Sequence, residues 1–200
     1  TGAAERTIDN SAPVLTGPTL SASTVQVGDV LTCSATATDA DPVDTPTVSY
    51  AWSDSSTGPT YAVTSSDDPG DTITCTATAD DADGGVVTGT ASATVDNTDP
   101  VMGTVSVSPS TGQVGDILTC AATATDDDGG TPTISYAWPD GSTAATYTIV
   151  DSDDPGDSIT CTATATDSDG GTDTGTASAT VTNTDPVMGT VSVSPSTGQV

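Results

Sequence analysis

Aspartate is the residue of this chain with the most chemistry to offer, and it is placed in a repeating pattern. One basic residue, Arg6, stands against 28 acidic ones, all Asp except Glu5, and there is no His; the formal net charge is -27. The carboxylates fall into three recurring settings. Alternating or adjacent Asp form one, followed by Gly in all but the first: Asp39 and Asp41, Asp81 and Asp83, Asp126 to Asp128, Asp167 and Asp169. A Pro-Gly turn carries the second, with Asp67 and Asp68 in SSDDPGD and Asp153 and Asp154 in DSDDPGD. The third pairs Asp with Asn: Asp9 and Asn10, then Asp96, Asn97 and Asp99, then Asn183 and Asp185. Carboxylates at this density repel one another unless a cation sits among them. A calcium ion takes about six to eight oxygens at roughly 2.3–2.6 Å, and Asp, Asn and backbone carbonyls suit it. Loop-borne donors favour calcium over magnesium, which demands a tighter octahedron. Two other readings stand beside this one. The charge serves solubility, for example in high salt, and Asp with Gly also decorates ordinary turns.

The elements that must position these residues repeat with them. NTDPVMGTVSVSPSTGQV occupies Asn97–Val114 and recurs unchanged at Asn183–Val200, and a weaker copy starts at Asn10. LTCSATATD at Leu31 matches LTCAATATD at Leu118, and SYAW recurs at Ser49 and Ser135. The period of 86 residues is long enough for one domain with a modest core. We expect residues 1–12 to be the terminal strand and linker of a preceding repeat, 13–98 the first full repeat, 99–184 the second, and 185–200 the first strand of a following one. The chain then reads as a window on a longer array. Exchange of the terminal strands between identical chains is the other reading of those ends.

Period-2 alternation runs through each repeat and predicts half-buried strands. Leu31, Cys33, Ala35 and Ala37 share one face; so do Val48, Tyr50 and Trp52, and Ile73, Cys75, Ala77 and Ala79. Tyr61 and Val63 form a shorter run, and Ala91, Ala93 and Val95 close the repeat. The second repeat has the same order, from Val105 and Val107 through Leu118, Cys120, Trp138, Tyr147, Ile159 and Cys161 to Val181. Asp44 extends the first acidic loop.

Each repeat holds two cysteines on inward faces, Cys33 with Cys75 and Cys120 with Cys161. The spacing is not CxxC and His is absent, which argues against zinc. One disulfide per repeat is expected, and with it an oxidising, extracellular or cell-surface location. Small inward residues such as Ala bury little apolar area, so the disulfide and one Trp must help to hold a thin core.

About seven short strands with Cys, then Trp, then Cys, resemble the immunoglobulin-like β-sandwich. The fold class expected is therefore all-β, as tandem sandwiches. The tyrosine two residues before the second Cys, usual in antibody domains, is replaced by Ile159. The repeats are similar to the bacterial immunoglobulin-like and cadherin-like repeats of large surface proteins. SYAWPDG at Ser135–Gly141 resembles the YxWxFGDG core of PKD domains without its Phe-Gly, and VDNTDPV at Val95–Val101 resembles the cadherin linker DxNDNxP. The cadherin likeness implies calcium at the junctions, with Asn97, Asp99 and Pro100 matching the linker's Asn, Asp and Pro. In a sandwich of this order the loops after the second and sixth strands meet at the end where the chain enters. That gathers Asp126–Asp128, Asp167 and Asp169 with Asp96, Asn97 and Asp99, and we expect Asp67 and Asp68 of the preceding repeat to face the same junction. Asp9, Asn10, Asp39, Asp41, Asp81 and Asp83 make the corresponding first cluster; Asp153, Asp154, Asn183 and Asp185 begin a third.

The charge repels nucleic acid and anionic membranes. No His base, free thiol or phosphate loop is on offer, and the paired carboxylates lack the aromatic walls and cleft that glycoside hydrolysis uses, so an enzyme is not expected. No Asn-x-Ser/Thr acceptor occurs, whereas the Thr-rich outer faces suit O-linked glycans. The function expected is structural: an extracellular stalk or fibre stiffened by calcium, whose partners are neighbouring repeats and, through strand exchange or lateral packing, identical chains. The alternative is an adhesin, a module that binds carbohydrate or protein with its Asp-rich loops.

Overall fold

The computed structural model describes residues 9–41 and 45–194. Fourteen strands are found among them: β1 Val14–Leu20, β2 Thr24–Val25, β3 Val30–Thr38, β4 Thr47–Trp52, β5 Thr60–Ala62, β6 Thr72–Asp80, β7 Val86–Val95, β8 Val101–Ser108, β9 Thr111–Gly112, β10 Ile117–Thr125, β11 Thr133–Ala137, β12 Thr146–Thr148, β13 Ser158–Thr166 and β14 Thr172–Val181. The chain divides into two compact units. One comprises Thr1–Val101 with the loops Thr125–Thr133 and Thr166–Asp173; the other comprises Met102–Ala124, Ile134–Ala165 and Thr174–Val200.

The first sandwich pairs a three-stranded sheet, in the order β1-β3-β5, with a four-stranded sheet in the order β2-β7-β6-β4. Neighbours are antiparallel except β2, which runs parallel to β7 with Val25 opposite Val95. The opening strand is thus split between the sheets, β1 on one and β2 on the other. Close approach at this split explains one glycine: a methyl group on Gly89 of β7 would sit 2.9 Å from Pro18 Cδ and 3.3 Å from Leu15 Cδ2.

The strands follow from the sequence alternation. In β3 and β6 the odd-numbered apolar residues turn inward, and Leu31, Cys33, Ile73, Cys75, Ala77 and Ala79 are buried. Cys33 of β3 is bonded to Cys75 of β6, so the disulfide ties one sheet to the other. Trp52, at the end of β4, lies 5.3 Å from Tyr61 of β5 between ring centroids, and its indole N–H donates to the Gly58 carbonyl at 2.9 Å. Each fully buried Leu, Ile or Val contributes about 1.5–3 kcal/mol, and the Ala columns add little. Closing a loop of this length contributes about 3–4 kcal/mol more.

The second sandwich repeats the arrangement, with sheets β12-β10-β8 and β11-β13-β14-β9. Cys120 of β10 is bonded to Cys161 of β13, and Trp138 follows β11 and stacks on Tyr147 at 5.3 Å. Both sandwiches have the immunoglobulin-like strand order, with seven strands each among the described residues.

Residues 187–193 have the same sequence as 101–107, yet only the earlier copy is a strand. In β8, Val105 and Val107 pack on the core beside β10. Val187 and Met188 are 95% and 85% exposed and no strand is assigned from Asn183 to Val193. A half-buried strand is a property of its neighbours as much as of its residues. The parts of the expected terminal strands at 1–8 and 195–200, and Asp44, lie outside the described residues.

Candidate functional site

The acidic loops are first of all self-folding turns. The Asp39 carboxylate accepts the Asp41 backbone N–H at 2.9 Å, and that of Asp126 accepts the Asp128 N–H at 3.1 Å. In the β6–β7 loop, Asp81 Oδ1 accepts from the N–H groups of Asp83 (2.9 Å) and Gly85 (2.8 Å). Asp167 Oδ1 does the same in the β13–β14 loop with Asp169 (2.9 Å) and Gly171 (2.8 Å). Asp side chains have this local reach, which is why they recur in turns.

The second oxygens gather the incoming chain. Asn10 Nδ2 donates to Asp81 Oδ2 at 3.0 Å, and the Ser11 N–H donates to Asp41 Oδ2 at 2.8 Å. One repeat later Asn97 Nδ2 donates to Asp167 Oδ2 at 3.0 Å, and the Thr98 N–H donates to Asp128 Oδ2. The segment before Val101 and both loops of this second cluster belong to one compact unit. Gly171 closes it: a methyl there would collide with the Asp167 and Asp99 carboxylates and the Asn97 amide.

After these bonds are made, some oxygens remain. Asp128 is only 7% exposed, and its Oδ1 is buried without a partner; so are Asn97 Oδ1 and Thr98 Oγ1. The first cluster leaves Asp39 Oδ2 in the same state. A buried carboxylate oxygen without a donor costs several kcal/mol unless something positive meets it. Among the described residues no three His, Cys, Asp or Glu side chains converge at metal-binding spacing. The buried acceptors left without a donor in this cluster are thus one carboxylate oxygen, one amide oxygen and one hydroxyl.

The electrostatics agree with crowding of charge. Burial first, and then the charges of Asp128, Asp167 and Asp127, hold the Asp126 carboxyl above its usual range, against the lowering effect of the Asp128 N–H. The Asn97 amide, foremost, and backbone N–H groups hold Asp167 below it. Asn10 does the same for Asp81.

Of the other expected residues, Asp67 and Asp153 are taken up by their own turns. Asp67 accepts the Tyr61 hydroxyl at 2.7 Å and the Thr64 N–H at 2.9 Å, and Asp153 accepts from Tyr147 and Val150. Asp68 is exposed and lines one cavity together with Asp128 and Asp169; Asp154 is an exposed member of the corresponding turn. Asp9, Asp83, Asp96, Asp127 and Asp169 are exposed. Asn183 and Asp185 are exposed too, and the Asn183 amide reaches Asp185 at 3.5 Å. Sequence reasoning missed Ser11 and Thr98, which contribute backbone N–H groups, and the two Gly that the carboxylates pack on. The recurrence of Asn-Ser and Asn-Thr before each sandwich was the signal.

No protein-family model matches this chain, and no curated protein matches it. Among solved structures, the chain is similar to immunoglobulin domains 1–5 of Sidekick-1, at 17% identity and a TM-score of 0.42 over 88% of this chain; it spans 40% of that structure. It is also similar to mouse cadherin-23 EC22–24, at 15% identity and a TM-score of 0.37 over 86% of this chain and 67% of that one. A third is a Ca2+-stabilized adhesin that helps an Antarctic bacterium reach out and bind ice, at 20% identity and a TM-score of 0.32, covering 88% of this chain and 50% of that one. The fold assignment rests on the strand order and inter-sheet disulfides of the chain itself: tandem immunoglobulin-like β-sandwiches.

Proposed function

We propose that this chain is an extracellular, structural repeat module, a stalk or fibre segment of the bacterial or cadherin-like kind, in which calcium stiffens each acidic head. The observation that carries the reading is Asp128: a nearly buried carboxylate whose Oδ1 has no partner, beside the unpartnered Asn97 Oδ1 and Thr98 Oγ1. Asp128, Asn97 and Thr98 would hold the ion, with Asp99, Asp126 and Asp167 as neighbouring donors. The ion would supply positive charge to the unpartnered carboxylate, amide and hydroxyl oxygens of Asp128, Asn97 and Thr98. An ordered site that binds the ion is stabilised by ligand linkage over the open one. Two disulfides with no free thiol accord with an oxidising compartment. No helix among the described residues is long and apolar enough to cross a membrane.

Calcium titrated into the full chain, with amide NMR as the readout, tests this. The Thr98 and Asp128 amides should shift with a dissociation constant of about 0.1–1 mM, as in extracellular calcium modules. Asp128→Asn should weaken that response at least tenfold. Amides that stay unmoved by calcium at moderate ionic strength would return the clusters to their role as solvated turns.

A second reading has one observation in its favour. The same loops present Asp83, Asp127 and Asp169 to solvent. In this reading the chain is an adhesive module whose loops bind carbohydrate or protein. Saturable micromolar binding of the two-sandwich chain to a defined glycan or protein, lost in Asp127→Ala with Asp169→Ala, would establish it.

A further inference from the structure

One peptide plane in the second cluster is held at both ends. The carbonyl of Asn97 accepts the Gln26 side-chain N–H at 2.7 Å. The N–H of the same peptide, on Thr98, donates to Asp128 Oδ2. A trans peptide is rigid, so fixing its oxygen fixes the direction of its hydrogen. Gln26 is itself fixed. Its N–H donates to Asp29 Oδ2 at 3.0 Å and its carbonyl accepts the Asp29 N–H at 3.0 Å, while the next bond along, from the Asp96 N–H to the Val25 carbonyl at 2.7 Å, anchors the chain to β2.

We infer that Gln26 is a positioning residue for the cation site: through the Asn97–Thr98 peptide it sets the Asp128 carboxylate so that Oδ1 stays turned into the cluster. This rests on the calcium reading above. Gln26 lies 71 residues from Asn97 in sequence and touches no ligand atom itself. Partners of this kind behind metal ligands typically change affinity about 10–100-fold when removed. The chain contains its own control. Gln113 makes the same bond, to the Asn183 carbonyl at 2.6 Å, where no counterpart of Asp128 is found among the described residues.

The test uses the full chain with calcium as the probe. Gln26→Met keeps length and packing but has no donor. The Thr98 amide reports the second cluster, and the Ser11 amide the first. Gln26→Met should weaken the Thr98-reported affinity about tenfold, leave the Ser11-reported affinity unchanged, and speed hydrogen exchange of the Thr98 amide in the absence of calcium. Gln113→Met should leave all three as they are. A wild-type chain that binds no calcium overturns the calcium reading and this inference with it. A wild-type chain that binds, with Gln26→Met binding equally well, overturns the inference alone. So does an equal loss in Gln113→Met, which would mark a general effect on the fold.

Discussion

The Tyr147 hydroxyl donates to both carboxylate oxygens of Asp153, at 2.9 and 3.2 Å, six residues ahead in the turn between β12 and β13. The ring stacks on Trp138 inside the sandwich and the hydroxyl reaches out to the turn. Tyr61 and Asp67 make the same pair in the first sandwich. A tyrosine thus locks a loop to the core, although the position two residues before the second Cys holds Ile159.

Tyr147→Phe should cost about 1 kcal/mol, since it removes one hydrogen bond and keeps the packing. Asp153→Ala should cost more, about 2 kcal/mol, because it also orphans the Val150 N–H, which now donates to Asp153 Oδ2 at 2.8 Å. Denaturant unfolding of both variants checks the order; equal costs would show that the Val150 N–H bond adds nothing to that of the Tyr147 hydroxyl.

Alkaline pH should act on the same pair. Burial, then the bond to Asp153, pushes the Tyr147 hydroxyl up to about 12, and the same causes, with Asp67 as the partner, raise Tyr61. A raised folded pKa means the proton is held more tightly in the folded state. The stability it contributes is therefore intact below the unfolded value, about 10, and is lost as pH rises through the folded one. Tyrosinate absorbance during an alkaline titration should show Tyr61 and Tyr147 ionising late, together with loss of strand signal. Tyr147→Phe with Tyr61→Phe should remove the late phase.

Replacing Cys120 and Cys161 together by Ala should cost the second sandwich about 2–5 kcal/mol. The thin Ala-lined core gives little reserve. Calorimetry should show one transition moving down while the other, from the sandwich closed by Cys33 and Cys75, stays in place. Both transitions moving together would show that the two do not unfold independently.

Much of the fold was legible because alternation and cysteine placement both act locally. A period of two assigns Leu31, Cys33, Ile73 and Cys75 to one interior, and two inward cysteines per repeat leave few pairings. The meeting of Asn97 with Asp167, and of Thr98 with Asp128, was legible at the level of elements, since strand direction alone brings the incoming chain to those loops. Which atoms would be spent on the loops themselves was not. Asp67 and Asp153 read as candidate ligands, but a tyrosine six residues earlier and a backbone N–H claim their oxygens, a contact set by side-chain reach rather than by periodicity. Gln26 was invisible for the same reason: its partner is a backbone carbonyl, which leaves no mark in the sequence. The fate of residues 187–193 depends on a pairing strand, and no property of those residues encodes whether one is present.

The bond between Cys33 and Cys75 encloses 42 residues of separation, and that between Cys120 and Cys161 encloses 41. When the ends of a sandwich are pulled apart by force, the enclosed loop cannot lengthen. At roughly 3.5 Å per extended residue, each bridge withholds on the order of 150 Å of contour length. Under tension the chain would therefore yield in short steps made only of the residues outside the bridges, and a reductant would release the hidden length. Single-molecule extension with and without dithiothreitol measures the difference directly: steps that nearly double on reduction are expected, and steps of unchanged size would mean that the bridges do not limit how far each sandwich can be drawn out.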